Sequence, residues 1–121
     1  MPDMDKPNVE EIVIAWLGTV SDYEVSGDMP EQRPEKFILV DRTGGPRESM
    51  VLDQAEILIE VYNKTSRLEA SNEAQKIADA ITQLLDQEPI TRARVNSLVN
   101  LNDIIGSYNR YQIYCDIWCR R

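Results

Sequence analysis

The chain has 121 residues, 42% of them hydrophobic and 28% charged, which is typical of a single globular domain and excludes a disordered chain. Its net charge of −8 argues against a protein whose main task is to grip nucleic acid, because such binding depends on clusters of cations. Histidine is absent, which removes the most common general base and the most common metal ligand together. No apolar run approaches the ~18 residues that a membrane helix needs, so we expect no membrane partner.

The beginning of the chain predicts a flexible tail followed by a helix. Residues 1–7 are polar and show no periodicity. Their acidic character is unlike the basic start of a signal peptide, so we expect the protein in a cytoplasm. Asn8 is a good N-cap, and apolar side chains recur from Val9 to Val20 at the spacing of one helical face. We therefore predict a helix over residues 9–20.

Three segments of the first half of the chain predict strands. Tyr23–Ser26 is short and precedes a polar turn, which favours an edge strand. Lys36–Arg42 is rich in β-branched and aromatic residues, and Gln54–Tyr62 alternates between apolar and polar side chains. Because the last two strands are joined by a turn that contains Gly44-Gly45, we predict an antiparallel hairpin with residues 43–53 as its long tip.

The second half of the chain predicts one helix and two more strands. Ser66 and Glu69 form a capping box before an alanine-rich helical face, and Pro89 marks the end of that region. Strands are then expected near Arg92–Val99 and Arg110–Cys119. The order of elements predicts a single α+β domain over residues 1–121, a two-layer sandwich with two helices on one face of a four- to five-stranded mixed sheet.

Several residue pairs invite a chemical role that their spacing excludes. Cys115 and Cys119 lie on one strand about 13 Å apart, from a rise of ~3.3 Å per residue, and a disulfide needs Cα atoms within ~7 Å. Glu56 and Glu60 have the same separation, whereas paired carboxylates in glycosidases lie ~5–9.5 Å apart. Gly44-Gly45 lacks the Lys-Ser/Thr of a phosphate-binding loop. We predict buried free thiols, a solvated sheet face, and no catalytic, cofactor-binding or metal-binding residues.

The sheet face that turns away from the helices carries a second set of apolar residues. Alternation along the strands places Ala55, Ile57, Ile59 and Val61 toward the helices and the neighbouring positions on the opposite side. Tyrosine and tryptophan are enriched where proteins meet, and contiguous exposed apolar patches mark contacts. The pattern favours a subunit contact, and the alternative is that these side chains are scattered or covered by the N-terminal segment. The residues concerned are Leu58, Tyr62, Tyr114 and Trp118.

The order and spacing of several segments point to a known family. An opening helix contains Ile14-Ala15-Trp16-Leu17, and the stretch Glu35–Arg47 contains the most distinctive run, Phe-x-x-Val-x-Arg-Thr-Gly-Gly. Asp53, the alanine-rich segment Glu73–Leu85 and Tyr111-Gln112 complete the pattern. Over nearly its full length the chain resembles the tail terminator (minor tail, tail-completion) proteins of long-tailed bacteriophages, of the type found in actinobacterial phages and prophages.

The resemblance implies a virion structural protein without catalysis and without a cofactor. Such proteins form a ring, usually a hexamer, which caps the finished tail tube and joins it to the head. The implied partners are copies of the same chain, the tail tube protein and a head completion or connector protein, with DNA only as passing cargo. The implied location is the virion tail, after assembly in the host cytoplasm. We expect Arg42 and Arg47 to flank a hairpin that contacts a neighbouring subunit.

Two other interpretations remain open. Within the same class, the chain fits another component of the head–tail connection. In a different class, it fits a small regulatory α+β domain that binds a metabolite at a subunit interface. Dependence of assembly on a ligand separates the two classes, because a regulator oligomerises or gains stability with a small molecule and a terminator does so without one.

Overall fold

The computed structural model describes residues 8–45, 52–86, 88–102 and 106–120. The predicted tail, residues 1–7, and most of the predicted hairpin tip lie outside these ranges. Within them the chain forms two α-helices and five β-strands. They are α1 (Val9–Val20), β1 (Glu24–Ser26), β2 (Lys36–Gly44), β3 (Leu52–Asn63), α2 (Arg67–Ile81), β4 (Ile90–Asn100) and β5 (Asn109–Arg120).

Both helices begin at the polar caps that the sequence predicts. The Asn8 side chain accepts hydrogen bonds from the backbone N–H groups of Glu10 and Glu11, at 3.0 and 3.4 Å. The Ser66 hydroxyl accepts one from the N–H of Glu69 at 3.0 Å. Each bond satisfies an amide at the first turn that has no partner inside the helix. Neither helix, within the described ranges, is long and apolar enough to cross a membrane.

The strands form one mixed sheet in the order β1-β2-β3-β5-β4. Strand β1 pairs in parallel with β2, and all other neighbouring pairs are antiparallel. The predicted edge strand and the predicted antiparallel hairpin are both confirmed. The strands that α2 connects, β3 and β4, run parallel to each other but are not neighbours, because β5 lies between them.

The helices pack on one side of this sheet, which confirms the predicted α+β sandwich. The helix residues Val13, Leu17, Ala74 and Ile77 are fully buried, and they share one cluster with the inward-facing residues of the strands. The sheet residues of this cluster follow the predicted alternation on β3 and β5. They are Ala55, Ile57, Ile59 and Val61 on β3, and Tyr111, Ile113, Cys115, Ile117 and Cys119 on β5.

Gly45 fixes the chain path at the end of β2. Its φ is +112°, in the region that favours glycine, and a Cβ atom there would lie 2.3 Å from the carbonyl oxygen of Gln54. Any larger residue would force β2 and β3 apart at this point. The Gly44-Gly45 pair therefore belongs to the hairpin, as the sequence predicts.

Candidate assembly interface

The side of the sheet that turns away from the helices, here called the outer face, is the candidate site. Residues that share a row across neighbouring strands point to the same side. Leu58 lies opposite Asp41 on one neighbouring strand and opposite Tyr114 on the other. Tyr114 in turn lies opposite Ser97 of β4. This row crosses four strands and forms the centre of the outer face.

Leu58 and Tyr114 are placed on the outer face as predicted. Tyr114 is 39% exposed, and Leu58 beside it is half-buried. The Tyr114 hydroxyl donates a hydrogen bond to the side-chain oxygen of Gln112 at 3.1 Å, and Gln112 donates to Glu60 at 2.9 Å. The aromatic ring of Tyr114 is therefore held in one orientation at the surface, with its polar end tied to the sheet.

Two arginines of β4 contact the ring of Trp118 on the outer face. The guanidinium carbons of Arg92 and Arg94 are 4.8 and 5.7 Å from the centroid of its ring. Arg94 also donates to the carboxylate of Asp116 at 2.9 Å, and Asn96 donates to the same oxygen at 2.9 Å. Stacked, partly exposed arginine and tryptophan are the residue types most common in the energetic centres of protein contacts.

Asp116 is the most buried charge of this group. Burial alone would raise its pKa, but hydrogen bonds from Asn96 and Arg94, together with the Arg94 charge, hold the pKa below its ordinary value. The Asp116 side chain is 9% exposed, whereas that of Arg94 is 54% exposed. The negative charge of Asp116 is thus balanced by groups of the same chain, and the positively charged side chain of Arg94 stays accessible to solvent.

Tyr62 turns away from the helices as predicted, but it does not lie open on the outer face, and its contact with a partner stays a prediction. Its ring stacks on Phe37 with centroids 4.4 Å apart, and Tyr108 packs edge-on at 5.8 Å. The guanidinium of Arg33 lies over all three rings, 4.7 Å from the centroid of Tyr108 and 5.5 Å from that of Tyr62. Tyr62 is only 2% exposed. Phe37, Tyr62 and Tyr108, here called the aromatic cluster, form a second small core that the chain itself covers.

Arg42 flanks the hairpin as predicted, but its side chain is engaged within the subunit. It donates two hydrogen bonds to the carboxylate of Asp53, both 3.0 Å long, and one to the carbonyl oxygen of Gly44 at 3.2 Å. The hydrogen bond to Asp53 raises the pKa of Arg42. Its backbone N–H donates to Glu10 of α1 at 3.0 Å. Arg42 thus joins the hairpin base to the helix layer, and its contact with a partner stays a prediction; Arg47 lies outside the described residues.

Cys115 and Cys119 are free and buried, as predicted. Burial raises the pKa of Cys115 to about 12 and also raises the pKa of Cys119. Thiols with such values are poor nucleophiles at neutral pH, because the thiolate is the reactive form. Across the described ranges, no three His, Cys, Asp or Glu side chains come close enough to share a metal ion.

A depression of about 230 Å³ opens on the outer face beside Tyr114. It is smaller than the ~300–1,000 Å³ of typical ligand pockets, and it is not lined mainly by apolar groups as those pockets are. The carboxylate of Asp116 at its wall is already bound by Arg94 and Asn96. The lining residues are Thr43, Glu56, Ile57, Asn96, Tyr114, Cys115 and Asp116.

Some residues of the outer face were not predicted from the sequence. Val99 and Leu101, at the end of β4, are 41% and 49% exposed. The roles of Arg33 and Tyr108 in covering Tyr62 were also missed. The two arginines beside Trp118 could have been found, since alternation from Arg92 places Arg94 on the same side.

Comparison of the chain with models of known protein families and with curated proteins finds no match. The likeness to tail terminators therefore depends on the segments described above, of which residues 35–47 are the most distinctive. What that likeness implies about function is a proposal, supported by the geometry of the outer face.

Proposed function

We propose that this chain is a structural protein of a long-tailed phage virion, a tail terminator that forms a ring of subunits on the completed tail tube and joins it to the head. The observation that carries the proposal is the outer face, where Leu58, Tyr114 and Trp118 stay partly exposed while the helices fill the other side of the sheet. An aromatic surface of this kind favours a contact with another protein.

The chemistry of the described residues supports a structural role rather than a catalytic one. The chain offers no histidine, and its two thiols are buried with raised pKa values. The outer-face side chains stand on hydrogen-bonded strands, so they form a rigid surface that suits repeated, identical contacts. A net charge of −8 suits a channel through which DNA passes without binding, because like charges repel.

Light scattering of the purified protein over a concentration series tests the proposal. The expected result is a discrete closed oligomer, near the mass of a hexamer of the 13.9 kDa chain, with no ligand added. A protein that stays monomeric at every concentration, and that also fails to bind purified tail tubes of the phage that encodes it, would refute the terminator function. Binding to head connectors but not to tail tubes would favour another component of the head–tail connection.

A matched pair of variants tests the outer face itself. Trp118→Ala removes an aromatic side chain that two arginines contact, and we expect subunit association to weaken about thirtyfold, or about 2 kcal/mol. Leu68→Ala is the control, because Leu68 is 61% exposed on α2, away from the outer face. Equal effects of the two substitutions, with folding intact by circular dichroism, would exclude the outer face as the contact.

The regulatory alternative requires a ligand site, and the depression beside Tyr114 is one candidate for it. If the chain were a ligand-binding regulator, assembly would require a small molecule and Glu56→Gln at the depression wall would abolish the response. The ligand-free mass measurement separates this case from the terminator, since a terminator assembles without any addition.

A further inference from the structure

The sheet ends in two strands that each have one hydrogen-bonded neighbour among the described residues. At one end β1 pairs with β2, and at the other end β4 pairs with β5. The outer backbone groups of an edge strand can template pairing with another chain. A ring of identical subunits needs head-to-tail contacts between two different surfaces, and the two ends of one sheet are such a pair.

The strand directions allow the sheet to continue from one copy into the next. Strands β1, β2 and β5 run in one direction, whereas β3 and β4 run in the other. A second copy that is rotated about an axis parallel to the strands keeps these directions. Its β1 then lies antiparallel beside β4 of the first copy, with both outer faces on the same side.

The lengths of the two edges match. Register shifts interrupt β4 between Ile90 and Arg92 and again between Val95 and Ser97. The regular stretch between them, Arg92–Val95, is short, and β1 has three residues. Bulges often protect an edge from long, unspecific pairing. Here they leave room for a short strand only.

Side-chain direction then fixes the register. Val25 and Ala93 both pack against the main core, so they point to the helix side. Glu24 shares a row with Phe37 of the aromatic cluster, and Arg92 shares one with Trp118, so both point to the outer face. Residues directly opposite each other must share a side. Within the regular stretch, only the alignment of Val25 opposite Ala93 meets this condition.

The charges of the two edges are complementary in that register. Glu24 of one copy lies opposite Arg94 of the next and diagonal to Arg92, and all three side chains are exposed in the single chain. Asp22 and Asp28, on either side of β1, add to its negative charge. Opposite charges on facing strands stabilise their pairing, and like charges oppose it.

We propose that β4 of one copy pairs with β1 of the next copy, antiparallel and with Val25 opposite Ala93, so that the sheet continues from subunit to subunit. This inference rests on the proposed ring. It places Trp118, Arg92 and Arg94 next to the junction. Because the ring axis is parallel to the strands, the centre of the outer face, around Leu58 and Tyr114, lies on the wall of the ring and not on the end that meets the tail tube.

A cysteine pair tests the register directly. Val25 opposite Ala93 sets Ser26 opposite Arg92, and facing residues of antiparallel strands lie within the ~7 Å that a disulfide allows between Cα atoms. The double variant Ser26→Cys with Arg92→Cys is expected to give, under mild oxidation, a covalent ladder that ends at one closed species. Ser26→Cys with Val99→Cys is the control, because position 99 lies roughly 23 Å farther along β4 at ~3.3 Å per residue.

Two charge variants give an independent reading. Glu24→Arg places like charges together and is expected to weaken association about tenfold, or about 1.4 kcal/mol, and adding Arg92→Glu, diagonal to position 24, is expected to restore part of it. Cross-linking no stronger than in the control, or no recovery in the double charge variant, would overturn the edge pairing. If the unmodified protein still forms a closed oligomer, the proposed function stands; if it never assembles, with or without tail tubes, the proposed function fails as well.

Discussion

Substitution of Tyr108 tests whether the aromatic cluster is a second core that covers one end of the outer face. Tyr108 is 5% exposed, and its ring centroid lies 5.5 Å from that of Phe37 and 5.8 Å from that of Tyr62. Its hydroxyl has one proton, which it donates to the carbonyl oxygen of Pro34 at 2.7 Å, with the carbonyl oxygen of Arg33 as a second, longer acceptor at 3.3 Å. Tyr108→Ala removes the ring and the hydroxyl, whereas Tyr108→Phe removes the hydroxyl alone.

These contacts set the expected sizes of the two effects. Deleting a buried aromatic side chain costs about 3–5 kcal/mol of unfolding free energy, and we expect Tyr108→Ala to fall in that range. Loss of the hydroxyl from Tyr108→Phe is expected to cost about 1 kcal/mol, the net contribution of a typical hydrogen bond. The difference between the variants measures the packing of the ring against Phe37, Tyr62 and Arg33.

Equilibrium unfolding in urea, followed by circular dichroism, measures both variants. With a slope of ~2 kcal/mol per molar urea, Tyr108→Ala moves the midpoint by roughly 2 M. Tyr114→Phe is the control, because Tyr114 is 39% exposed and its hydroxyl donates to the side chain of Gln112, and the effect is expected to stay within about 0.5 kcal/mol. A cost of less than about 1 kcal/mol for Tyr108→Ala would refute the assignment of the aromatic cluster as a second core.

Three further measurements follow from the charges and thiols. Because the pKa of Asp116 is lowered in the folded protein, its stabilising effect is present above the unfolded-state value of about 3.9 and is lost as pH falls through the lower folded value. As pH falls from the unfolded value to the folded value, the free energy of unfolding should therefore fall less in Asp116→Asn than in the wild type; equal slopes over this range would contradict the prediction. Cys115 and Cys119 should resist thiol reagents at neutral pH until the protein unfolds, and rapid labelling of the folded chain would show that they are not buried. Fluorescence anisotropy with duplex DNA at low salt should show no tight binding. Tight binding would contradict the proposal of a channel that DNA passes through without binding.

The features that depend on neighbours in sequence could be predicted well. Asn8 and Ser66 fix the helix starts because an N-cap acts on amides two or three positions ahead. Alternation along β3 and β5 gave the correct sides for Leu58, Tyr114 and Trp118, since a regular strand repeats every two residues. These features are determined by residues a few positions apart, so the local sequence is enough to predict them.

The features that depend on distant contacts could not be predicted. The hydroxyl of Tyr108 is hydrogen-bonded to Pro34, which is 74 positions away in the sequence. No local sequence pattern predicts that Arg33 covers the ring of Tyr62. The bulge between Val95 and Ser97 shifts the alternation of β4 by one residue. Simple alternation from Arg92 would therefore turn Leu98 outward, whereas it packs against the main core and Val99 is exposed instead.

The position of β5 has a consequence for the order in which the protein is made and completed. β5 is synthesised after the other four described strands, yet it lies inside the sheet and is the only described neighbour of β4. During translation β4 therefore emerges without a strand to hold it, and the basic edge with Arg92 and Arg94 forms only when β5 inserts. The pairing of β5 with β3 joins segments that are far apart in sequence, and such pairing is slow compared with helix formation. A nascent or truncated chain without β5 thus cannot present the edge that we propose for assembly.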